Sequence, residues 1–405
     1  MNAPHPSLFA QVDLAPRDPI LGLNEAFATD TRADKVNLGV GVYYDENGKL
    51  PLLKCIKAAE EERTAQSLAK GYQPIEGAAA YNKAVQQMIF GAGHPLLAQE
   101  RVVTIEALGG TGALKVGADY LRQLLPHAAV AISDPSWENH RALFEAAGFA
   151  VHNYRYYDPS SRGVDFAGMI ASLKALPAQT IVVLHACCHN PTGADLTDSQ
   201  WNEVVSVCAT RNLVPFLDMA YQGFGHGLHE DAAALRKFAE AGLSFFVSSS
   251  FSKSFSLYGE RVGALSIVTG SAEESKHLLS QVKRVIRTNY SNPPTHGGAL
   301  VTMVLNSTAL KALWEEELAA MRDRIRSMRE GLVQGLKDQG VRQDMSFVTQ
   351  QKGMFSYSGL TESQVTRLRE DHGVYAVATG RICIAALNSK NLPKVCQAIA
   401  SVIAK

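Results

Sequence analysis

Leu243-Ser244-Phe245-Phe246-Val247-Ser248-Ser249-Ser250-Phe251-Ser252-Lys253 decides how this 405-residue chain folds. The apolar run Leu243 to Val247 passes without a turn residue into small hydroxyl side chains and a single lysine. Unbroken rather than alternating apolar residues predict a strand covered on both faces. Lysine prefers solvent, so an amine just past a buried strand either reaches outward or is held for chemistry, where burial lowers its pKa and frees it as a nucleophile.

The same texture extends outward on both sides. Val102 to Ile105, Ala129 to Ile132, Thr180 to Leu184, Leu213 to Leu217 and Ala264 to Val268 are short apolar runs between helical patterns. Thr197-Asp198-Ser199-Gln200 fits a capping box ahead of a helix Trp201 to Ala209, and the helix Glu138 to Ala147 stops at Gly148. Helices between buried strands are crossover connections, so the fold is α/β, a large domain with a mostly parallel central sheet flanked by helices. Ligands of such sheets bind beyond the strands' carboxyl ends. Those ends carry Gly109-Gly110-Thr111-Gly112, Asp134-Pro135-Ser136-Trp137, His185 through Gly193, Asp218-Met219-Ala220-Tyr221 and Ser250 to Lys253, which predicts one crevice built from five strand ends.

The flanks predict a second, smaller α+β domain. A Pro-rich N-terminal arm runs to residue 17, Asp18-Pro19 opens a helix through Ala26, and Val36 to Tyr44 reads as a strand whose glycines admit a ligand to the backbone. Leu53 to Ala69 is helical by spacing and Gly71 to Gly77 is a loop. A pattern from Thr308 to Gln339 is long enough to bridge two domains. It is followed by Met354 to Tyr357, a capped helix from Thr361 to Asp371, strands Val374 to Ala378 and Ile382 to Ala386, and a closing helix from Leu392. The expected division is arm 1–17, small-domain part 18–47, large domain 48–320 and small C-terminal domain 321–405.

Composition narrows the function. Formal net charge is +0 with 19% charged residues, so neither nucleic acid nor an anionic membrane surface is an expected partner. No apolar run approaches the roughly 20 residues of a membrane helix, and the first residues lack the pattern of a secretory signal. Six cysteines in apolar stretches, with no CxxC, fit a reducing cytoplasm.

The chemistry then follows from residue types. The loop from Gly109 to Gly117 lacks the Lys-Ser/Thr of a P-loop and the third glycine of the dinucleotide fingerprint, yet its amides and the following helix can hold a phosphate. Asp218 at a buried strand end needs a cationic or donor partner. Metal is disfavoured there because His185 and His189 belong to another strand, and no Gly-x-Ser-x-Gly elbow supports a serine triad. Arg261, Arg287 and Arg381 stand near glycines or segment ends, where guanidinium grips carboxylate or phosphate. Taken singly, these are a surface lysine, a tight turn and surface ion pairs; Trp137 is a core residue or the cover of a flat ring. Together, an amine, an acid, an anion cradle and anion-gripping arginines fit pyridoxal phosphate.

On His189-Asn190-Pro191-Thr192-Gly193, Asp218-Met219-Ala220-Tyr221-Gln222-Gly223-Phe224, Ser252-Lys253 with Gly259-Glu260-Arg261-Val262-Gly263, Asn289 to Pro294, and Gly380-Arg381-Ile382-Cys383, nearly the whole chain resembles the class I aminotransferases. These are fold type I pyridoxal-phosphate enzymes. The resemblance lies nearest the bacterial aromatic-amino-acid (tyrosine) aminotransferases, siblings of aspartate aminotransferase. It implies that Lys253 carries the cofactor and moves the Cα proton, and that Asp218 protonates the ring nitrogen. Asn190 and Tyr221 are implied to bond the phenolic oxygen, Trp137 to stack on the ring, and His140 and His185 to support them from behind. Gly110, Thr111, Ser250, Ser252 and Arg261 are the implied phosphate site, with Tyr72 entering from a second subunit of a homodimer. Arg381, helped by Asn190, Trp137 and Gly41, is implied to clamp the substrate α-carboxylate, and the partner's Arg287 the side-chain carboxylate of a dicarboxylic substrate.

The expected reaction exchanges an amino group between tyrosine, phenylalanine or tryptophan and 2-oxoglutarate, with aspartate as a secondary donor. Two departures bear on this: Gly109-Gly110-Thr111 replaces the Ser-Gly-Thr of many aspartate-preferring relatives, and Ser256 to Glu260 resembles the aromatic branch. The rivals are an aspartate aminotransferase proper, a β-eliminating lyase, which the carboxylate-gripping Arg287 disfavours, and a cofactor-binding regulator, for which no nucleic-acid-binding appendage is visible.

Overall fold

Seven strands build the central sheet of the computed structural model, which describes residues 7–15 and 19–403. In chain order they are β1 (Val102–Leu108), β2 (Val130–Asp134), β3 (Val151–Arg155), β4 (Ile181–His185), β5 (Val214–Met219), β6 (Phe245–Ser250) and β7 (Val262–Val268). Their spatial order is β1-β7-β6-β5-β4-β2-β3. β7 runs antiparallel to β1 and β6, while β2–β3, β2–β4, β4–β5 and β5–β6 pair in parallel. The sheet is thus mostly parallel, as the buried runs require: every residue of β4, β6 and β7 is buried. β3 was not among the expected strands. It lies at the sheet edge with only Val151 and Tyr154 buried, so it has no continuous apolar run to reveal it.

Helices cover both faces. The capping boxes at Thr197 and Thr361 are both formed, opening helices Asp198–Thr210 and Glu362–His372, and the helix Glu138–Ala146 ends before Gly148 at φ +92°. Of the helices of eight residues or more, Ala79–Phe90, Phe166–Ala175, Ala233–Glu240, Ala272–Asn289 and His296–Asn306 escaped the sequence reading. The long helix Thr308–Asp338 runs unbroken, buries Trp314, Leu318, Met321, Ile325, Leu332 and Leu336, and donates from Trp314 Nε1 to the Ser254 carbonyl at 2.7 Å. One face of this helix therefore reaches the segment bearing Lys253, and its later turns pack against the helix Leu392–Ile403.

Several expectations need correction. Only Val36–Asn37 of the stretch Val36 to Tyr44 is strand, pairing in parallel with Val374–Tyr375. Its partner is itself two residues long, so the rest has no ladder to join. Likewise the expected strand Ile382 to Ala386 is Arg381–Cys383 followed by a single 3₁₀ turn at Ile384–Ala386. Gly109 to Gly112 is not a free loop but the first turn of the helix Gly109–Leu124. The helix expected from Asp18 begins at Pro19 and runs to Thr29; Asp18 lies outside the described residues, as do positions 1–6 of the arm.

Candidate active site

A cavity of about 210 Å³ opens at the carboxyl ends of the strands, lined among others by Gly110, Thr111, Trp137, His185, Asn190, Asp218, Tyr221, Ser250, Ser252, Lys253, Arg261 and Arg381. All five expected strand ends contribute to it. Gly41 joins from the N-terminal segment, and Ile20, Leu114 and Phe355 supply apolar wall.

At its floor lies Asp218, at the end of β5 and 5% exposed. Burial alone would raise its pKa, but the His140 hydrogen bond, helped by the nearby Lys253 amine, holds the carboxyl below its ordinary value. His140 Nε2 stands 2.9 Å from Asp218 Oδ2, and its Nδ1 stands 2.9 Å from Ser136 Oγ. A carboxylate only accepts, so Nε2 carries the hydrogen, and the Ser136 hydroxyl pairs with Nδ1 on the other side of the ring. His185 sits beside this pair, its ring 5.0 Å from that of His140, and burial pushes its pKa down to about 3. The register pairs His185 directly with Asp218 across β4 and β5. The sequence argument that separated them by strand therefore fails in space, because adjacent parallel strands bring equivalent ends together. A second group, Cys187, Cys188 and Asp231, lies outside the crevice; Asp231 accepts from the backbone amides of Gly223, Gly225 and His226.

Lys253 follows β6 in a short turn, its amine 4.9 Å from the centroid of the Tyr221 ring. Burial, aided by the repulsion of Arg261 and Arg381 and opposed by attraction to Asp218, lowers the amine pKa to about 8. An amine so placed is available as a nucleophile near neutrality.

The opposite wall forms an anion cradle at the N-terminus of Gly109–Leu124. Gly109 holds φ +69°, and a Cβ there would sit 2.6 Å from Arg261 Nη2, so the guanidinium packs directly against the start of this helix. Arg261 donates from Nη1 to Ser252 Oγ at 3.2 Å and to the Tyr258 carbonyl at 3.0 Å. A Cβ at Gly110 would lie 3.1 Å from Ser250 Cβ, which keeps this side of the cradle narrow.

Arg381 is 1% exposed and yet has no carboxylate partner among the described residues. It donates from Nη1 to Asn190 Oδ1 at 3.1 Å and from Nη2 to the Gly39 carbonyl at 2.9 Å, while its Nε has no protein partner. Its guanidinium lies 4.3 Å from the Phe355 ring centroid. A buried cation with a donor left over is costly unless an anion completes it. This spare donor, the amine, the strand-end acid and the anion cradle fit the four parts of pyridoxal phosphate and an amino acid. Tyr72, 95% exposed, and Arg287, exposed and bonded to Ser291, do not line the cavity of their own chain. Phe355 was missed as a site residue because, within Met354 to Tyr357, it reads as an ordinary strand apolar.

Comparison with known proteins agrees with this geometry. Residues 33–399 match the family model for aminotransferase class I and II. An aspartate aminotransferase of Pseudomonas aeruginosa is 65% identical, and an aromatic-amino-acid aminotransferase of Escherichia coli 51% identical; each comparison covers 98% of this chain and 100% of the relative. A crystal structure of an aromatic-amino-acid aminotransferase from Burkholderia pseudomallei, covalently bound to pyridoxal phosphate, superposes with a TM-score of 0.96 at 64% identity, covering 98% of this chain and 100% of that one. The chain belongs to the class I and II aminotransferases and is an amino-group transferase.

Proposed function

We propose that the protein is a pyridoxal-phosphate-dependent aminotransferase that exchanges the amino group of tyrosine, phenylalanine or tryptophan with 2-oxoglutarate, taking aspartate as a secondary donor. The observation that carries the reading is one cavity in which a half-buried amine of lowered pKa, a buried acid and a buried guanidinium with a spare donor face each other. When bound, the cofactor supplies an aldehyde for amine exchange and a ring that withdraws electrons from the substrate Cα. The chain supplies the rest. Lys253 carries the cofactor and, once released, moves the Cα proton; Asp218, oriented by His140, keeps a proton on the ring nitrogen. Asn190 and Tyr221 bond the phenolic oxygen, Trp137 covers the ring, and Gly110, Thr111, Ser250, Ser252 and Arg261 hold the phosphate. Arg381 clamps the α-carboxylate beside Asn190, Trp137 and Gly41.

The aromatic preference is supported by the apolar side chains in the cavity wall, Ile20, Leu114 and Phe355, the last lying against the Arg381 guanidinium. A second reading, aspartate as the principal donor, is favoured by the name of the 65%-identical relative. A donor panel of phenylalanine, tyrosine, tryptophan and aspartate with 2-oxoglutarate separates the two. We expect kcat/KM to be higher for phenylalanine than for aspartate; a much larger value for aspartate overturns the preference.

A homodimer with shared sites belongs to the same reading. It is supported by the exposed apolar side chains Leu8, Phe9, Val12 and Leu14 of the arm and by the exposure of Tyr72 and Arg287 away from the cavity of their own chain. The division into arm, small domain and large domain, and a cytoplasmic location for a chain whose six cysteines are all free and buried, are part of this proposal. Among the described residues no helix is long and apolar enough to cross a membrane.

The lowered amine pKa makes a separate prediction. Deprotonated Lys253 is the nucleophile, so covalent capture of pyridoxal phosphate by the cofactor-free protein should speed up as pH rises and level off above about 8. Borohydride trapping at intervals from about pH 6 to about pH 10 checks it, and a rise centred on an ordinary lysine value contradicts it.

A further inference from the structure

Arg329 is 3% exposed on the helix Thr308–Asp338, and its guanidinium has no carboxylate partner among the described residues. Burial pushes its pKa down to about 10. Nη1 donates to the Val348 carbonyl at 3.0 Å, and Nη2 donates to the carbonyls of Gly353 and Phe355 at 2.8 and 2.5 Å. Burying a cation against carbonyls alone is costly, and what it achieves here is to gather the backbone of 348–355 around one rigid fork.

That backbone is a seam between the two halves of the carboxylate site. On one side, Gly353 lies against Cys188, where a Cβ would approach the Cys188 Cβ to 2.5 Å, and Lys352 N donates to the Gly193 carbonyl at 2.7 Å. These contacts grip the segment that contains Asn190. On the other side, Phe355 opens the short strand Phe355–Tyr357, paired antiparallel with Arg381–Cys383. The Phe355 ring faces the Arg381 guanidinium at 4.3 Å, meets the Tyr221 ring edge-on at 5.9 Å, and reaches to 2.8 Å from where a Cβ would stand at Gly41. One side chain thus fixes the ring against which Arg381, Tyr221 and Gly41 are all packed.

We propose that Arg329 is a positioning residue for substrate-carboxylate capture, acting through the 353–355 backbone and the Phe355 ring on Arg381 and Asn190. The proposal rests on reading Arg381 as the clamp. Because Arg329 touches neither Lys253 nor Asp218, its loss should weaken binding of amino and oxo acids and leave the proton transfer largely intact.

The test compares Arg329→Lys with Arg381→Lys in the holoenzyme, measuring KM and kcat for an amino donor and for 2-oxoglutarate, the cofactor absorbance, and Tm. A lysine keeps the charge but loses the planar fork, so Arg329→Lys should raise both KM values about tenfold, with kcat changed less than about threefold and the cofactor spectrum unaltered. An unchanged KM, or a fall in kcat that matches the rise in KM, overturns the proposal. If Arg381→Lys itself leaves KM unchanged, the clamp reading has failed; if it raises KM while Arg329→Lys does not, only the positioning role has. Should Arg329→Lys not fold, Phe355→Leu, which keeps all three Arg329 bonds and removes the ring, must show the same KM-selective loss or the proposal falls.

Discussion

Lys253→Ala should fold, retain pyridoxal phosphate without a covalent bond, and lose turnover by at least about 10⁴-fold, because in the proposed function a single amine is both the attachment point and the group that moves the Cα proton. Its neighbours argue that the scaffold survives. Phe251 and Phe255, both buried, pack edge to face with ring centroids 5.5 Å apart, and Trp314 is bonded to the Ser254 carbonyl. The turn is therefore held by residues on either side of the lysine. Steady-state assay with 2-oxoglutarate, together with borohydride reduction and peptide mapping, reads both parts of the expectation. Turnover within about tenfold of wild type, or label on a different lysine, removes the basis of the proposed function.

Asp218→Asn carries the second large effect. The amide is nearly isosteric and its Oδ1 can still accept from His140 Nε2, so the fold should persist while the negative charge in this buried site is lost. A preorganised charge acting on a transition state in a water-poor site contributes on the order of 10²- to 10³-fold in kcat, and a loss of that size is expected here. The same substitution should move the pH midpoint for cofactor capture to the acid side, since Asp218 is the attraction that opposes the lowering of the Lys253 pKa. Two readouts thus check one charge. A kcat within about threefold of wild type, or a midpoint shifted to higher pH, contradicts the assignment.

The sheet was legible because burial on both faces favours consecutive apolar side chains, and β1, β4, β6 and β7, buried almost residue for residue, each carry such a run, as in Phe245-Phe246-Val247 and Ile181 to Leu184. β3 was not, since an edge strand solvated along part of its length shows no such run. The short pairings of the smaller α+β part were over-read for a related reason: apolar stretches such as Ile382 to Ala386 are buried whether extended or coiled in a 3₁₀ turn, and their composition does not distinguish the two. Within the crevice, residues at strand ends were legible from their place in the chain. His140 against Asp218 and Phe355 against Arg381 were not, because the first pair joins segments 78 residues apart and the second depends on the pairing of two three-residue strands too short to show a pattern in the sequence.

The sequence by itself determined which side chains stand at the carboxyl ends of the buried strands, because alternating apolar runs and helices leave a chain with L-residues few ways to form such a sheet. It also determined the chemistry available there: one amine, one acid, a glycine-rich helix start and three arginines. Only the tertiary structure decided how those groups bear on one another. The pKa of Lys253, the tautomer of His140 and the spare donor of Arg381 depend on distances of a few ångströms and on exclusion of water. Those are set by packing between segments far apart in the chain, 78 residues for His140 and Asp218 and 191 for Arg381 and Asn190, and local sequence does not encode them.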